Sequence, residues 1–194
     1  MLPFNGLVKG PKSGDAERLG RLLDLLDKKP RKVLRRKSRI RRGARSEDVT
    51  TRVLAYYILT RLTEYDLNEE LRDDLDDAVD HLINMEINLG YSPCTLKCPG
   101  CGEEIKMDPP VFPSLVRCSR CENEMSLLDP LPVRYSVQLS ELFWNVSFVY
   151  EMARRGHIRE DDRLVKRLES LKSHTLGSIR KMSRMLLIII SERS

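Results

Sequence analysis

Lys97-Cys98-Pro99-Gly100-Cys101-Gly102 and its counterpart Arg117-Cys118-Ser119-Arg120-Cys121-Glu122 decide how this chain is organised. Each holds two cysteines separated by two residues, and sixteen residues, 102–117, stand between the pairs. That spacing falls within the range of a four-cysteine metal site. Zinc takes four ligands in a tetrahedron with Zn–S near ~2.3 Å, and a two-residue gap lets one tight turn aim two thiolates at one point. Pro99 presets one backbone angle, and Gly100 and Gly102 tolerate left-handed conformations. Four thiolates fill the coordination sphere and leave no position for a reactive water. Cys98, Cys101, Cys118 and Cys121 are therefore expected to hold one structural Zn2+ ion, which staples a segment too small to bury its own core. Cys94, the fifth cysteine, is expected to be free, with replacement of Cys98 as a ligand the alternative.

Short strands are expected at Glu104-Ile105-Lys106-Met107 and Leu115-Val116-Arg117. With these strands, the four cysteines and above all the first turn, residues 94–128 resemble the four-cysteine zinc-ribbon group of folds. The resemblance covers about 35 of the 194 residues. The second turn departs from the pattern, having Glu122 where the first has Gly102. Zinc ribbons occur in proteins that bind DNA, RNA or other proteins, so the resemblance implies that class without fixing a ligand.

Outward from this region, bracketed by Pro93 and Pro130, the pattern turns helical. Leu19, Leu22, Leu23 and Leu26 recur at helical spacing until Pro30. Ser46 is the expected N-cap of a helix carrying Val49, Val53, Leu54, Tyr57, Ile58 and Leu62. Asn68 is placed to cap the next, with Leu71, Leu75, Val79 and Leu82 on one face and Gly90 as its stop. Leu139, Leu142, Phe143, Val146, Val149 and Tyr150 trace a helix ending near Gly156. Leu164, Leu168, Leu171, Ile179, Met182 and Leu186 trace one long helix from about Glu160. Trp144, Phe143 and Phe148 read as core. Met185 to Ile190 reads as a buried helix end, with a partner-binding surface as the alternative. The fold class is mainly α: a bundle of about five helices with an inserted β zinc-ribbon module. Residues 1–45 form an N-terminal helix and basic arm, 46–92 and 131–194 the bundle, and 93–130 the insert.

Charge is unevenly spread. Charged residues make up 32% of the chain, and the net +5 hides two opposed blocks. Residues 28–45 hold eleven cations and no acid: Lys28, Lys29, Arg31, Lys32, Arg35, Arg36, Lys37, Arg39, Arg41, Arg42 and Arg45. Such a run repels itself and is expected to be loose or frayed without a partner. Contact with nucleic-acid phosphates would release condensed counterions and favour binding without base specificity. The block has no aromatic residue, so base stacking is not expected there. On the insert, Lys97, Lys106, Arg117 and Arg120 are the cations best placed for phosphate. Asp73, Asp76, Asp77 and Asp80 fall opposite the apolar stripe of their helix and read as a solvated face, one on which the basic block could dock when nucleic acid is absent.

The longest apolar runs fall far short of the ~20 residues that a membrane span needs, and no secretory leader pattern is present. The expected setting is soluble, intracellular and cytoplasmic. His81, His157 and His174 form no metal-ligand pair by spacing, and no phosphate-cradling glycine loop or nucleophile motif occurs. The expectation is a non-enzymatic nucleic-acid-binding protein, DNA or RNA, in which the ribbon is a rigid platform. Its alternative is an adaptor or structural subunit of a larger nucleoprotein complex (transcription, replication, CRISPR or virion) binding mainly protein.

Overall fold

The computed structural model describes residues 14–65, 67–85, 94–107, 115–126, 133–174 and 176–193. The chain is mainly helical. Five helices precede the cysteine region: α1 (Gly14–Leu26), α2 (Pro30–Leu34), α3 (Lys37–Ala44), α4 (Val49–Leu62) and α5 (Arg72–Asn84). Four short strands follow: β1 (Cys94–Lys97), β2 (Glu104–Met107), β3 (Leu115–Arg117) and β4 (Glu124–Ser126). They are succeeded by α6 (Val133–Arg154), α7 (Asp162–Leu171) and α8 (Gly177–Ser191). No helix among the described residues is long and apolar enough to cross a membrane.

The core is built on α4 and α6, which pack against each other more extensively than any other pair. Leu54, Ile58, Leu59 and Leu62 of α4 share one buried cluster with Leu139, Leu142, Val146, Phe148 and Val149 of α6. Around them sit α1 through Leu19, Leu22 and Leu26, α5 through Leu75, Ala78 and Leu82, and α8 through Ile179, Leu186 and Ile190. Phe148 is fully buried, whereas Phe143 and Trp144 are only partly so, with the Trp144 ring edge-on to Tyr57 at 4.7 Å and to Phe143 at 4.9 Å. On α8, Leu186 and Ile190 are buried while Met185 and Ile188 are exposed.

Several expectations are refined. Among the described residues, eight α-helices occur where periodicity suggests about five. Two of the additional helices, α2 and α3, lie in the basic block. Each needs few apolar anchors: Val33 for α2, and Ile40 and Ala44 for α3. Pro30 opens α2 as a first-turn residue whose missing N–H costs nothing. Gly43 lets α3 press onto its neighbours, for a Cβ there would lie 2.6 Å from Leu19 Cδ1 and 3.4 Å from Ala55 Cβ. The long C-terminal helix is two helices, broken around His174, whose Nδ1 accepts the Leu176 N–H at 3.0 Å. The cap of α4 is Asp48, which accepts the Thr51 N–H at 2.9 Å, and not Ser46. Asn68 makes no side-chain cap; a 3-10 turn, Glu69–Leu71, leads into α5. Gly90, Pro93 and Pro130 lie outside the described residues.

Candidate metal centre and cationic face

The cysteine region consists of two antiparallel hairpins, each folded around one CxxC turn. β1 pairs with β2 from Cys94 opposite Met107 to Lys97 opposite Glu104. β3 pairs with β4 from Leu115 opposite Ser126 to Arg117 opposite Glu124. The two turns repeat one backbone pattern. In the first, Cys98 N donates to Glu103 O at 2.9 Å and Gly102 N to Cys98 O at 2.8 Å. In the second, Cys118 N donates to Asn123 O and Glu122 N to Cys118 O, both at 3.0 Å. Gly102 has φ 73° and Glu122 has φ 59°, so a glutamate adopts the left-handed conformation that its counterpart glycine takes freely.

These turns bring four sulfurs together. Cys98 Sγ lies 3.5 Å from Cys121 Sγ, Cys101 Sγ lies 3.6 Å from Cys118 Sγ, and all four fall within 4.8 Å of one another. A disulfide would require ~2.05 Å. A tetrahedron of ligands ~2.3 Å from its centre has edges of ~3.8 Å, so the spacing suits a single metal ion. The sulfur electrostatics point the same way. Burial alone would raise the Cys98 thiol, but N–H groups of Cys101 and Gly100 and the sulfurs of Cys121 and Cys118 bring it down to about 6. Cys101 has the N–H of Glu103 favouring its thiolate. Burial and hydrogen bonding with the sulfurs of Cys121, Cys118 and Cys98 nonetheless push it up to about 12, so that the four do not all ionise together without a cation. A divalent cation lifts that restriction. Four cysteines therefore stand where they could hold a metal ion. Cys94 begins β1, four residues before the first ligand.

Among the described residues, the hydrogen bonds and ion pairs of these hairpins are internal. Lys97 lies 3.9 Å from Glu104, Arg117 lies 2.9 Å from Glu122, and Arg120 lies 3.4 Å from Glu103. Of the four candidate phosphate contacts in this region, only Lys106 carries no ion pair among the described residues.

The basic block divides into three sectors at a helical advance of about 100° per residue. On α3, Ile40, Gly43 and Ala44 face the core. Lys37, Arg41 and Arg45, spaced by four, face the acidic helix α5. There Lys37 Nζ lies 3.0 Å from Asp74, Arg41 reaches Asp74 at 3.0 Å and Asp73 at 3.2 Å, and Arg45 reaches Asp77 at 2.6 Å. The acidic face of α5 thus receives three cations of the block. Spacing of Asp73, Asp76, Asp77 and Asp80 does not single out Asp74, the buried centre of this ladder at 3% exposure. A signal exists, since Asp74 lies three residues after Leu71 and four before Ala78, on the apolar side.

The third sector faces solvent. Lys28, Lys29, Arg31, Lys32, Arg35, Arg36 and Arg42 are exposed and Arg39 is partly so. None of these eight has an ion-pair partner among the described residues.

Residue spacing also carries no sign of a polar cluster linking α4, α5 and α6. Glu141, 5% exposed, accepts hydrogen bonds from Arg52, and His81 Nε2 lies 2.8 Å from its Oε1. The His81 ring stacks on buried Tyr56 at 5.6 Å. Burial would raise the Glu141 carboxyl, but the bonds from His81 and Arg52 outweigh it and hold it below the usual range. The cluster's bonds tie three helices together.

Compared with known proteins, the chain matches no family model, no curated protein and no solved structure.

Proposed function

We propose that this chain is a non-enzymatic nucleic-acid-binding protein that grips phosphates with the outer face of α2 and α3 and carries one structural Zn2+ ion in a ribbon-like insert. The observation that carries the reading is the contrast within one short segment. Three cations are neutralised by α5, while eight, seven of them exposed and Arg39 partly so, have no carboxylate partner among the described residues. Four of the eight, Arg31, Lys32, Arg39 and Arg42, stand on α2 and α3 and the others in the turns beside them, and such a concentration of like charge favours a polyanion, whose condensed counterions are released when phosphates replace them. Arginines outnumber lysines among them, which suits two-pronged phosphate contact.

Zinc is the reading for the metal because four thiolates in tetrahedral array favour it or an iron–sulfur centre, and paired CxxC turns at this spacing suit zinc. When bound, it holds the two hairpins together; with its coordination sphere closed, it supplies no reacting water.

The test is a salt series. Affinity of the full chain for nucleic acid should fall linearly with log salt, by about 0.9 in slope per duplex phosphate contacted. Arg42 and Arg45 form a matched pair at the end of α3, one free and one held by Asp77. Arg42→Gln should shallow the slope by about 0.9, and Arg45→Gln should leave it unchanged. Absence of binding at low salt would sink the reading.

A second reading, an adaptor in a larger nucleoprotein assembly, draws on the insert. Its Lys97, Arg117 and Arg120 are occupied by its own glutamates, which favours a protein partner there over phosphate. Retention of nucleic-acid affinity after deletion of the metal ligands would assign the insert to such a role.

A further inference from the structure

We infer that the nucleic acid taken by the outer face of α2 and α3 is a duplex, gripped along its phosphate backbone without reading base sequence. This rests on the nucleic-acid reading above and narrows it.

Three observations carry the step. The first is chemical. Proteins that hold single strands combine a basic groove with aromatic side chains on which successive bases stack. Residues 28–45 contain no aromatic residue. Among the described residues, Tyr57 and Phe143 pack edge-on against Trp144, and Tyr65 donates its hydroxyl to Asp27 at 3.2 Å. Base-edge readout has no better support, because the segment lacks the Asn and Gln side chains that pair with adenine. Arginine alone could read guanine, and only from within a groove.

The second is mechanical. The face cannot wrap around a flexible strand. Val33 and Ile40 are fully buried, Gly43 is pressed against Leu19, and the side chains of Lys37 and Arg41 are fastened to Asp74. The backbone that carries the free cations is thereby preset, which suits a partner whose phosphates are also preset, and a duplex provides that at no ordering cost to itself.

The third is geometric. Arg31 and Arg35 stand one helical turn apart opposite Val33, and Arg39 and Arg42 continue on the solvent side of α3. The free charges thus recur turn by turn along two consecutive helices. A duplex presents about one charge per ~1.7 Å of its axis, denser than a single strand, so it releases more counterions per cation supplied.

The experiment is fluorescence anisotropy with the full chain, metal-loaded, across a salt series. Probes are duplex DNA of about 20 base pairs in two unrelated sequences, duplex RNA of the same length, and an unstructured oligothymidylate of about 20 nucleotides. The duplexes should bind about ten-fold tighter than the single strand at low salt, with the steeper salt slope narrowing the gap as salt rises, and the two DNA sequences should agree within about two-fold. The duplex RNA arm shows whether the grip extends to A-form geometry. Arg31→Gln and Arg35→Gln, checked for unchanged helicity by circular dichroism, should weaken all duplexes alike. Single-strand binding equal to or tighter than duplex binding overturns the inference while leaving the nucleic-acid reading intact. A sequence preference beyond two-fold overturns its base-blind part. No binding to any probe at low salt removes the broader reading itself.

Discussion

Glu122 sits with φ 59° at the position where the first turn has Gly102 with φ 73°. A side chain in that region costs on the order of 1 kcal/mol, because its Cβ crowds the following carbonyl. The strain is held in place by the Glu122 N–H bond to Cys118 O and by convergence of the four sulfurs. Its pairing with Arg117, exposed on both sides, offsets little. Gly102→Ala should therefore weaken metal binding about five-fold, as ~1 kcal/mol of new strain, although a Cβ there meets nothing within 4 Å. Glu122→Gly should tighten it by a smaller factor. Competition against a calibrated chelator reads both, and equal affinity for Gly102→Ala and the parent would show that the turn carries no strain. The convergence of the four cysteines was legible because thiolate spacing follows directly from coordination geometry. The left-handed glutamate was not, since residue type argues against it and only the symmetry between the turns imposes it.

At the scale of elements, apolar spacing found α1, α4, α5 and α6 because each buries several side chains on a stripe. It passed over α2 and α3, which are anchored by few residues and held by charge. It also ran α7 into α8, since Leu171 and Ile179 stay nearly in phase across the break. The break is set by His174, which accepts the Leu176 N–H in a half-buried site. Burial, with the Arg180 and Arg167 cations near, brings this imidazole down to about 4 from an ordinary 6.5. Unfolding frees it to take a proton at pH values where the folded chain refuses one. Its contribution is therefore whole above about pH 6.5, is lost as pH falls toward 4, and amounts to at most ~3 kcal/mol. Denaturant unfolding of parent and His174→Gln at pH 7 and pH 5 should show the parent losing more stability, by ~2 kcal/mol. Carboxylates held low, such as Glu141, act at more acid pH and are common to both chains. Parallel losses in the two proteins would remove His174 as the cause.

Across the whole molecule, the sequence separates two kinds of stabilisation. The helices cohere through a shared apolar core and the Arg52–Glu141–His81 cluster, whereas the two hairpins bury chiefly Val116, Met125, Cys98 and Cys118. Hairpins of this size lack the core to fold alone, and a metal ion held by the four cysteines would supply their folding free energy. Among the described residues, no hydrogen bond or ion pair passes from the hairpins to a helix; Cys98, Val116, Cys118 and Met125 belong to the apolar cluster of the helical core, so loss of the metal breaks no polar tie to a helix. Chelation should accordingly abolish hydrogen-exchange protection across 94–126 and expose that segment to protease, while the far-UV helical signal changes little. The free cations lie on α2 and α3 and in the turns beside them, so duplex affinity should survive chelation within about two-fold. A cooperative loss of helical signal on chelation would show that the metal organises the whole chain. Retained helices with lost affinity would move the nucleic-acid contact from the cationic face to the hairpins.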